Sequence, residues 1–393
     1  MSRTRILVVA HALTALVHAV PAVALCAFLD PGPALALTGV IWLFTAIRLR
    51  TLASDPRRPR WVVRLWDEPT FCHWSACLFG LPLLALAVIG LEVARGLGAE
   101  LPPAPFRVGT IGIPELACLA YALGFAMAGW GVWIERRRLC VRTLELSIPG
   151  LDPALDGLRV AHLSDLHIGG FDSVAQGRRW VERANALLPD IVAVTGDLVT
   201  TGAHWYDDAA DVIGRLKGRL GVFVSLGNHD QWDAPRLVGA LEREGARVLR
   251  NAWELVGGAD GGIVVAGLDD RYTKKDDLLR TLAGRPEGVP TLLLAHYPET
   301  FADAQRHEVA LVLSGHTHGG QIGVPFFADR LHLGTFTRHS GRGLYRRGAS
   351  ALYVSAGLGT TGPPLRLGIP PEIALLILRS ARDQTGVRRA ALS

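Results

Sequence analysis

The stretch Ser314-Gly315-His316-Thr317-His318-Gly319-Gly320-Gln321 sets two imidazoles one residue apart, where the apolar run 309–313 breaks into glycines. Such a run reads as a buried strand, and histidines spaced like this at its end can turn toward one point, as in a metal site at a sheet edge. Taken alone the pair is equally a polar turn. Four upstream stretches break the tie. Asp165-Leu166-His167 follows the run 158–163, Gly196-Asp197 follows 191–194, Gly227-Asn228-His229-Asp230 follows 222–226, and His296 ends 292–295. Five metal-competent groups therefore stand at the C-terminal ends of five strands, where open α/β sheets place their ligands.

Singly, Asp165 or Asp197 is a common cap or turn residue, Asn228 a turn residue and His296 a buried histidine. Their shared placement at strand ends is what makes them a set. His162 falls inside a strand and reads as core, while His204, His307, His332 and His339 read as surface. The five cysteines, at 26, 72, 77, 118 and 140, all precede these stretches and show no zinc-ribbon spacing or disulfide framework. Apolar flanks make them small buried side chains, so the metal site at these strand ends must use His, Asp and Asn.

The elements that carry these residues occupy only part of the 393-residue chain. Residues 1 to about 140 are dominated by Ala, Leu, Val and Trp, and residues 141–393 alternate strands and helices. Residues 1–142 hold 14 arginines and no lysine against eight acids, which leaves 27 basic against 28 acidic residues in the rest. The net charge of +5 thus belongs to the apolar part, and no long nucleic acid is expected as a partner.

Apolar runs at about 6–29, 34–49, 71–94 and 112–134 are read against the roughly 20 residues a bilayer crossing needs. The first is too long for a signal peptide's apolar region and lacks a convincing cleavage site. The second is short, but Pro33 before it and Arg48 and Arg50 after it resemble the ends of a span. Arginines cluster at 3 and 5, at 48–64 and at 136–142, and the other connections hold only Arg95 and Arg107. Four crossings put the three clusters on one side, the cytoplasm, together with the N-terminus and the α/β part. A three-span arrangement with the second run re-entrant would strand one cluster outside. The expectation is a multi-pass integral membrane protein with the bilayer as a partner.

In the α/β part, 143–148 reads as an edge strand. Helices follow at about 174–188, capped by Asp172 or Ser173, at 207–216 and at 234–244, with later strands at 262–268, 291–295, 309–313, 351–355 and 373–378. Alternation of this kind implies mixed sheets covered by helices, and strands apolar throughout imply burial on both faces.

The order Asp-x-His, Gly-Asp, Gly-Asn-His-Asp, His, Gly-His-x-His resembles the calcineurin-like metallophosphoesterase superfamily over about residues 155–380. The Gly-His-Thr-His-Gly-Gly-Gln run, with 352–359 and Pro370-Pro371-Glu372, is similar to the membrane-associated branch typified by UDP-2,3-diacylglucosamine pyrophosphatase. The apolar leader is similar to transmembrane proteins that carry this domain. The resemblance implies a four-layer α/β/β/α sandwich behind an all-α four-helix transmembrane domain. It implies two divalent ions, one held by Asp165, His167 and His318, the other by Asn228, His296 and His316, with Asp197 bridging. Carboxylate, amide oxygen and imidazole without thiolate suit Mn²⁺, Fe²⁺ or Zn²⁺. A hydroxide shared by the ions would attack phosphorus in line, His229 would protonate the leaving oxygen or stabilise the equatorial charge, and Asp230 could orient His229. Arg338, Arg342, Arg346 and Arg366 could grip a further phosphate. The expected activity is hydrolysis of a phosphodiester or pyrophosphate in a phosphorylated small-molecule, lipid-linked or nucleotide-linked substrate. Rival readings are a small-nucleotide phosphodiesterase or nuclease on the same site, and a membrane sensor or scaffold that only binds ligand.

Overall fold

The computed structural model describes all residues except 1–2, 53–55, 98–106, 109–110, 258–261, 325–326, 329, 337–340 and 381–393. It divides into two compact units, Met1–Arg136 with Gly362–Leu367, and Arg137–Thr361 with Gly368–Ser393.

The first unit is helical, with α1 (Arg3–Val17), α2 (Ala19–Leu25), α3 (Pro31–Leu52), the single turn α4 (Arg60–Val62), α5 (Glu68–Gly96) and α6 (Ile113–Gly129). A two-residue hairpin, β1 (Arg107–Val108) with β2 (Ile111–Gly112), precedes α6. Among the described residues, the continuous helical stretches Pro31–Arg50, Arg60–Ala94 and Ile113–Arg137 are long and apolar enough to cross a membrane. The second apolar run, short by sequence, is thus a 22-residue helix, because Pro31 can start a helix and Arg50 and Leu52 continue one. The first run is instead broken at His18 and yields only the shorter apolar helix His11–Leu25. Helices α5 and α6 approach closely at Gly124, where a Cβ would stand 2.5 Å from the Ala76 carbonyl oxygen. At the end shared by α3, α5 and α6, Arg48 pairs with Asp67 at 2.6 Å and Arg136 with Glu68 at 2.6 Å, all four buried. Arginines that read as a flanking basic cluster are therefore partly neutralised by the acids that open α5.

The second unit holds β3 (Cys140–Ile148), β4 (Leu158–Leu163), α7 (Val174–Asn185), β5 (Ile191–Thr195), α8 (Tyr206–Ile213), β6 (Gly221–Ser225), α9 (Ala234–Arg243), β7 (Arg247–Val248), β8 (Ala252–Val256) and β9 (Ile263–Gly267). Then come α10 (Leu278–Leu282), β10 (Thr291–Leu294), α11 (Phe301–Arg306), β11 (Leu311–Ser314), α12 (Leu333–Phe336), β12 (Gly343–Arg347), β13 (Ser350–Val354) and β14 (Glu372–Ser380). They form two six-stranded mixed sheets, β3-β14-β4-β5-β6-β7 and β12-β13-β11-β10-β9-β8. As expected, β3 is an edge strand; at one edge of the other sheet β12 pairs antiparallel with β13. Ser173, rather than Asp172, caps α7, its hydroxyl accepting from the Gln176 N–H.

The burial of each strand's two faces explains the lack of alternation. Ile191 and Ala193 join the core between the sheets with Val160, Leu292 and Leu313, while Val192 and Val194 pack under α7 and α8 with Trp180 and Tyr206. The other sheet turns Leu293 and Val312 toward α11 in a third cluster. The layers are therefore helix, sheet, sheet, helix.

His162 lies in the core. Its Nε2–H donates to Thr195 Oγ1 at 2.8 Å, that hydroxyl donates to Ser164 Oγ, and Ser164 donates to the Thr195 carbonyl. This chain suits a neutral imidazole, and burial pushes the His162 pKa from 6.5 down to about 3. The unfolded chain then binds a proton near pH 6.5 that the folded chain refuses, so stability is complete above that pH and is lost as pH falls from about 6.5 toward 3. In denaturant titrations, wild type should lose roughly 2 kcal/mol between pH 8 and pH 5 that His162→Gln does not lose. Equal losses in both proteins would contradict the assignment.

Candidate metal centre

The site forms where the parallel strands of both sheets end. Past the strands the ladder continues: Asp165 N–H donates to Gly196 O and His167 N–H to Asp197 O, both at 3.0 Å, and Gly315 N–H donates to His296 O at 3.1 Å. These loops are strained. Asp165, His167, Asp197, His316 and His318 all have φ between 46° and 65°, a region that costs a residue with a Cβ on the order of 1–3 kcal/mol. Five of the seven expected ligands thus sit in left-handed backbone. Gly315 is required on space alone, since a Cβ there would stand 1.9 Å from Ser164 Oγ and 2.2 Å from Asp165 Oδ2.

Backbone N–H groups anchor both carboxylates. Asp165 accepts from the His316 N–H through Oδ1 at 3.0 Å and Oδ2 at 3.2 Å, and Asp197 accepts through Oδ1 alone from the His229 N–H at 2.9 Å. That leaves Asp197 Oδ2 between two imidazoles, 3.7 Å from His167 Nε2 and 3.3 Å from His296 Nε2. His318 Nε2 lies 3.0 Å from His167 Nε2 and 3.5 Å from Asp165 Oδ1. The His296 ring meets that of His316 at 5.1 Å between centroids. Ligand atoms of Asp165, His167 and His318, of His167, Asp197 and His229, and of Asp197, His296 and His316 lie within 4.8 Å of one another in each group. Asn228 joins through Tyr297, whose hydroxyl donates to Asn228 Oδ1 at 3.1 Å and whose ring lies tilted at 45° against that of His316, 4.3 Å between centroids.

Two observations fit a divalent pair. His296 Nδ1–H donates to the Thr195 carbonyl at 2.7 Å, which leaves its Nε2 as the ligating atom, and this buried Nε2 makes no hydrogen bond. Two carboxylates and three imidazoles, all at most 3% exposed, also concentrate negative charge in a dry place. Burial pushes the Asp165 carboxyl up to about 6, against the pull of His296 and helped by the charge of Asp197. For Asp197 burial acts in the same sense, but His296 and His229 outweigh it and hold the carboxyl well below its usual range. Burial disfavours charge on His296 too, yet Asp197 and Asp165 raise it to about 10.

One role differs from expectation. Asp230 does not orient His229: its carboxylate accepts from the Gly227 N–H and the Leu198 N–H, each at 2.9 Å, and braces the loop that presents Asn228. Burial pushes this carboxyl up to about 7. The His229 imidazole is held by the Thr200 carbonyl, which accepts from Nδ1. The His229 ring is turned to the Thr200 carbonyl, while the Asp230 oxygens are turned to two backbone amides.

Of the four arginines, Arg338 lies outside the described residues. Arg342 is half-buried against Gly319, in the loop of His318, and Arg346 is exposed on β12. Arg366 is fully buried in Gly362–Leu367, part of the first unit, where its N–H donates to Gly131 O at 3.3 Å. His332, expected at the surface, is 8% exposed and packs on Gly320. Tyr297, Thr195 and Thr200 were not legible as site residues. The one cue was the position of Tyr297 directly after the strand-end His296. Gln321 clasps Thr361, donating to its carbonyl and accepting from its N–H at 3.0 Å each, and so ties the His318 loop to the one after β13.

Comparison with known proteins agrees with this geometry. The model of the calcineurin-like phosphoesterase family matches residues 158–320. Over 270 residues the chain is 29% identical to YkuE, an uncharacterised metallophosphoesterase of Bacillus subtilis, covering 66% of this chain and 94% of that protein. Over 228 residues it is 30% identical to a second one, YkoQ, covering 56% of this chain and 83% of the other. A transmembrane protein with metallophosphoesterase domain from Danio rerio is 32% identical over 279 residues, 67% of this chain and 62% of that relative, so the chain spans about three fifths of its length.

Proposed function

Because the chain belongs to the calcineurin-like metallophosphoesterase family, phosphoester hydrolases that use a binuclear divalent metal centre, we propose that it is membrane-embedded and cleaves a phosphodiester or pyrophosphate in a lipid-linked or nucleotide-linked substrate on the cytoplasmic side. The observation that carries the reading is the position of Asp197 Oδ2, 3.7 Å from His167 and 3.3 Å from His296, where one oxygen can serve two ligand sets. Asp165, His167 and His318 would hold one ion and Asn228, His296 and His316 the other. When bound, a pair of Mn²⁺, Fe²⁺ or Zn²⁺ ions supplies Lewis acidity to the phosphoryl oxygens and acidifies a water.

The chain's own residues do the rest. Asp197 and Asp165, each fastened by a backbone N–H, keep their carboxylates in place without reorganisation during the reaction, and Asp197 keeps Oδ2 clear of that anchor. His229, with Nδ1 fixed on Thr200, carries on its other nitrogen the proton that the leaving oxygen takes up. Buried walls exclude bulk water from the carboxylates. The three helices long and apolar enough to cross a bilayer support an amphiphilic substrate, since they would concentrate the enzyme where such molecules lie.

The test is turnover of the full-length protein in detergent with Mn²⁺ against bis(p-nitrophenyl) phosphate, a UDP-linked lipid, a phospholipid, a cyclic dinucleotide and a simple monoester. Preference for the lipid-linked or pyrophosphate substrate is expected. Preference for the cyclic dinucleotide would favour the small-nucleotide reading, and a folded protein that binds metal but turns over nothing would favour a ligand-binding scaffold.

A further inference from the structure

We propose that the helical unit carries a second metal site, for one thiophilic transition cation, Zn²⁺ or Cu⁺, made by His18, His73 and Cys77. It shares no residue with the binuclear centre. Its three donor atoms lie within 4.8 Å of one another, brought together across 59 residues of chain.

Each donor is presented by a distinct feature of the helices. His18 is the break between α1 and α2, and its Nδ1 lies 2.6 Å from the Thr14 carbonyl oxygen. A carbonyl only accepts, so Nδ1 carries the hydrogen and Nε2 the lone pair, the arrangement in which metal-ligating histidines are held. His73 and Cys77 stand one turn apart on α5 and hence on one face. His73 Nδ1 contacts the Tyr121 hydroxyl of α6 at 2.8 Å, and its Nε2 faces His18 Nε2 at 3.3 Å. The Cys77 sulfur is 3.7 Å from the same His73 Nε2.

Two of these separations match edges of a coordination polyhedron, and the third, between the sulfur and His18, is at most 4.8 Å. Two imidazole nitrogens about 2.05 Å from a tetrahedral zinc stand about 3.4 Å apart, and a thiolate at about 2.3 Å stands about 3.6 Å from either nitrogen. The thiol's direction adds to this. Cys26, the C-cap of α2, donates in the ordinary way to the carbonyl one turn back, Ala22 O, at 3.4 Å, whereas Cys77 is turned toward the imidazole one turn back, 3.7 Å from its Nε2 and 4.0 Å from its Nδ1. A proton shared along Tyr121, His73, His18 and Thr14 would account for the nitrogen contacts without giving the sulfur a part in them.

Donor chemistry sets the ligand class. One thiolate and two imidazoles without a carboxylate select Zn²⁺ or Cu⁺ over Mn²⁺ or Mg²⁺, while the binuclear centre has carboxylates and no thiolate. Binding converts the Cys77 thiol to thiolate and releases its proton to solvent. The ion would tie the interrupted first helical run to α5.

The test uses the full-length protein in detergent, loaded with Co²⁺ under anaerobic conditions. Sulfur-to-cobalt charge-transfer absorption in the near ultraviolet reads only a site with a cysteine ligand. Wild type and Cys72→Ser should show the band. Cys77→Ser and His73→Ala should lose it along with one metal ion per chain, while retaining Mn²⁺-dependent phosphoesterase activity, which also reports folding. Displacement of the band by Zn²⁺ or by Cu⁺ identifies the preferred ion. In wild type alone, either ion should protect Cys77 from alkylation, so the proposal survives a variant that does not fold. A folded wild type without the band, a band that persists in Cys77→Ser, or a Cys77 alkylated equally with and without both ions would overturn it.

Discussion

Replacing Asp197 with asparagine is expected to lower kcat/KM by at least about 10³-fold, or about 4 kcal/mol of transition-state stabilisation. The amide retains an oxygen that can accept from the His229 N–H, so the loop geometry survives. What goes is the negative charge that faces His167 and His296 and serves both ligand sets. The deficit should therefore appear first as metal loss: bound metal per chain falls, and the concentration of Mn²⁺ needed for half-maximal activity rises. Circular dichroism should be unchanged. A variant that keeps wild-type metal content and turnover would show that Asp197 bridges nothing.

The complementary variant, His229→Ala, should separate chemistry from metal binding. Removing a positioned proton donor costs typically 10²–10⁴-fold in kcat, and that range is expected here for a substrate with a poor leaving group, with metal content retained. The deficit should shrink for bis(p-nitrophenyl) phosphate, whose leaving group departs without a proton. Loss of the same size on both substrates would mean that His229 acts by some other route, such as stabilising charge on the phosphoryl oxygens. Because the Thr200 carbonyl holds the imidazole and Asp230 does not, Asp230→Asn should reduce stability and leave the leaving-group dependence unaltered.

Much of this centre could be read from residue order. Strand ends are legible because apolar runs stop abruptly at Gly, Asp and His, and the parallel strands of both sheets place those ends on one edge. The three longer helices of the α/β part, α7, α8 and α9, were placed within a few residues by the same punctuation, while the short α10, α11 and α12 were not. The brace formed by Asp230 was not legible, since a carboxylate beside a histidine looks the same in sequence whichever group it contacts. Arg366 shows the opposite limit: an arginine near the final loops reads as a phosphate grip, but this one is buried with its backbone bonded to Gly131.

What the sequence determined by itself is local in origin: the type of each element, the apolar helices, and a donor set of carboxylate, amide and imidazole at strand ends. These follow from periodicity and side-chain chemistry, which a short window of residues contains. Only the tertiary structure decided which atoms face one another: that Asp197 turns one oxygen to the His229 amide and the other to two imidazoles, that Tyr297 joins Asn228 to His316, and that Cys77 meets His18 and His73 in the apolar helices. Such contacts depend on the register of the sheets and the rotation of each helix about its axis. Those are set by how whole faces pack, and no spacing along the chain records them.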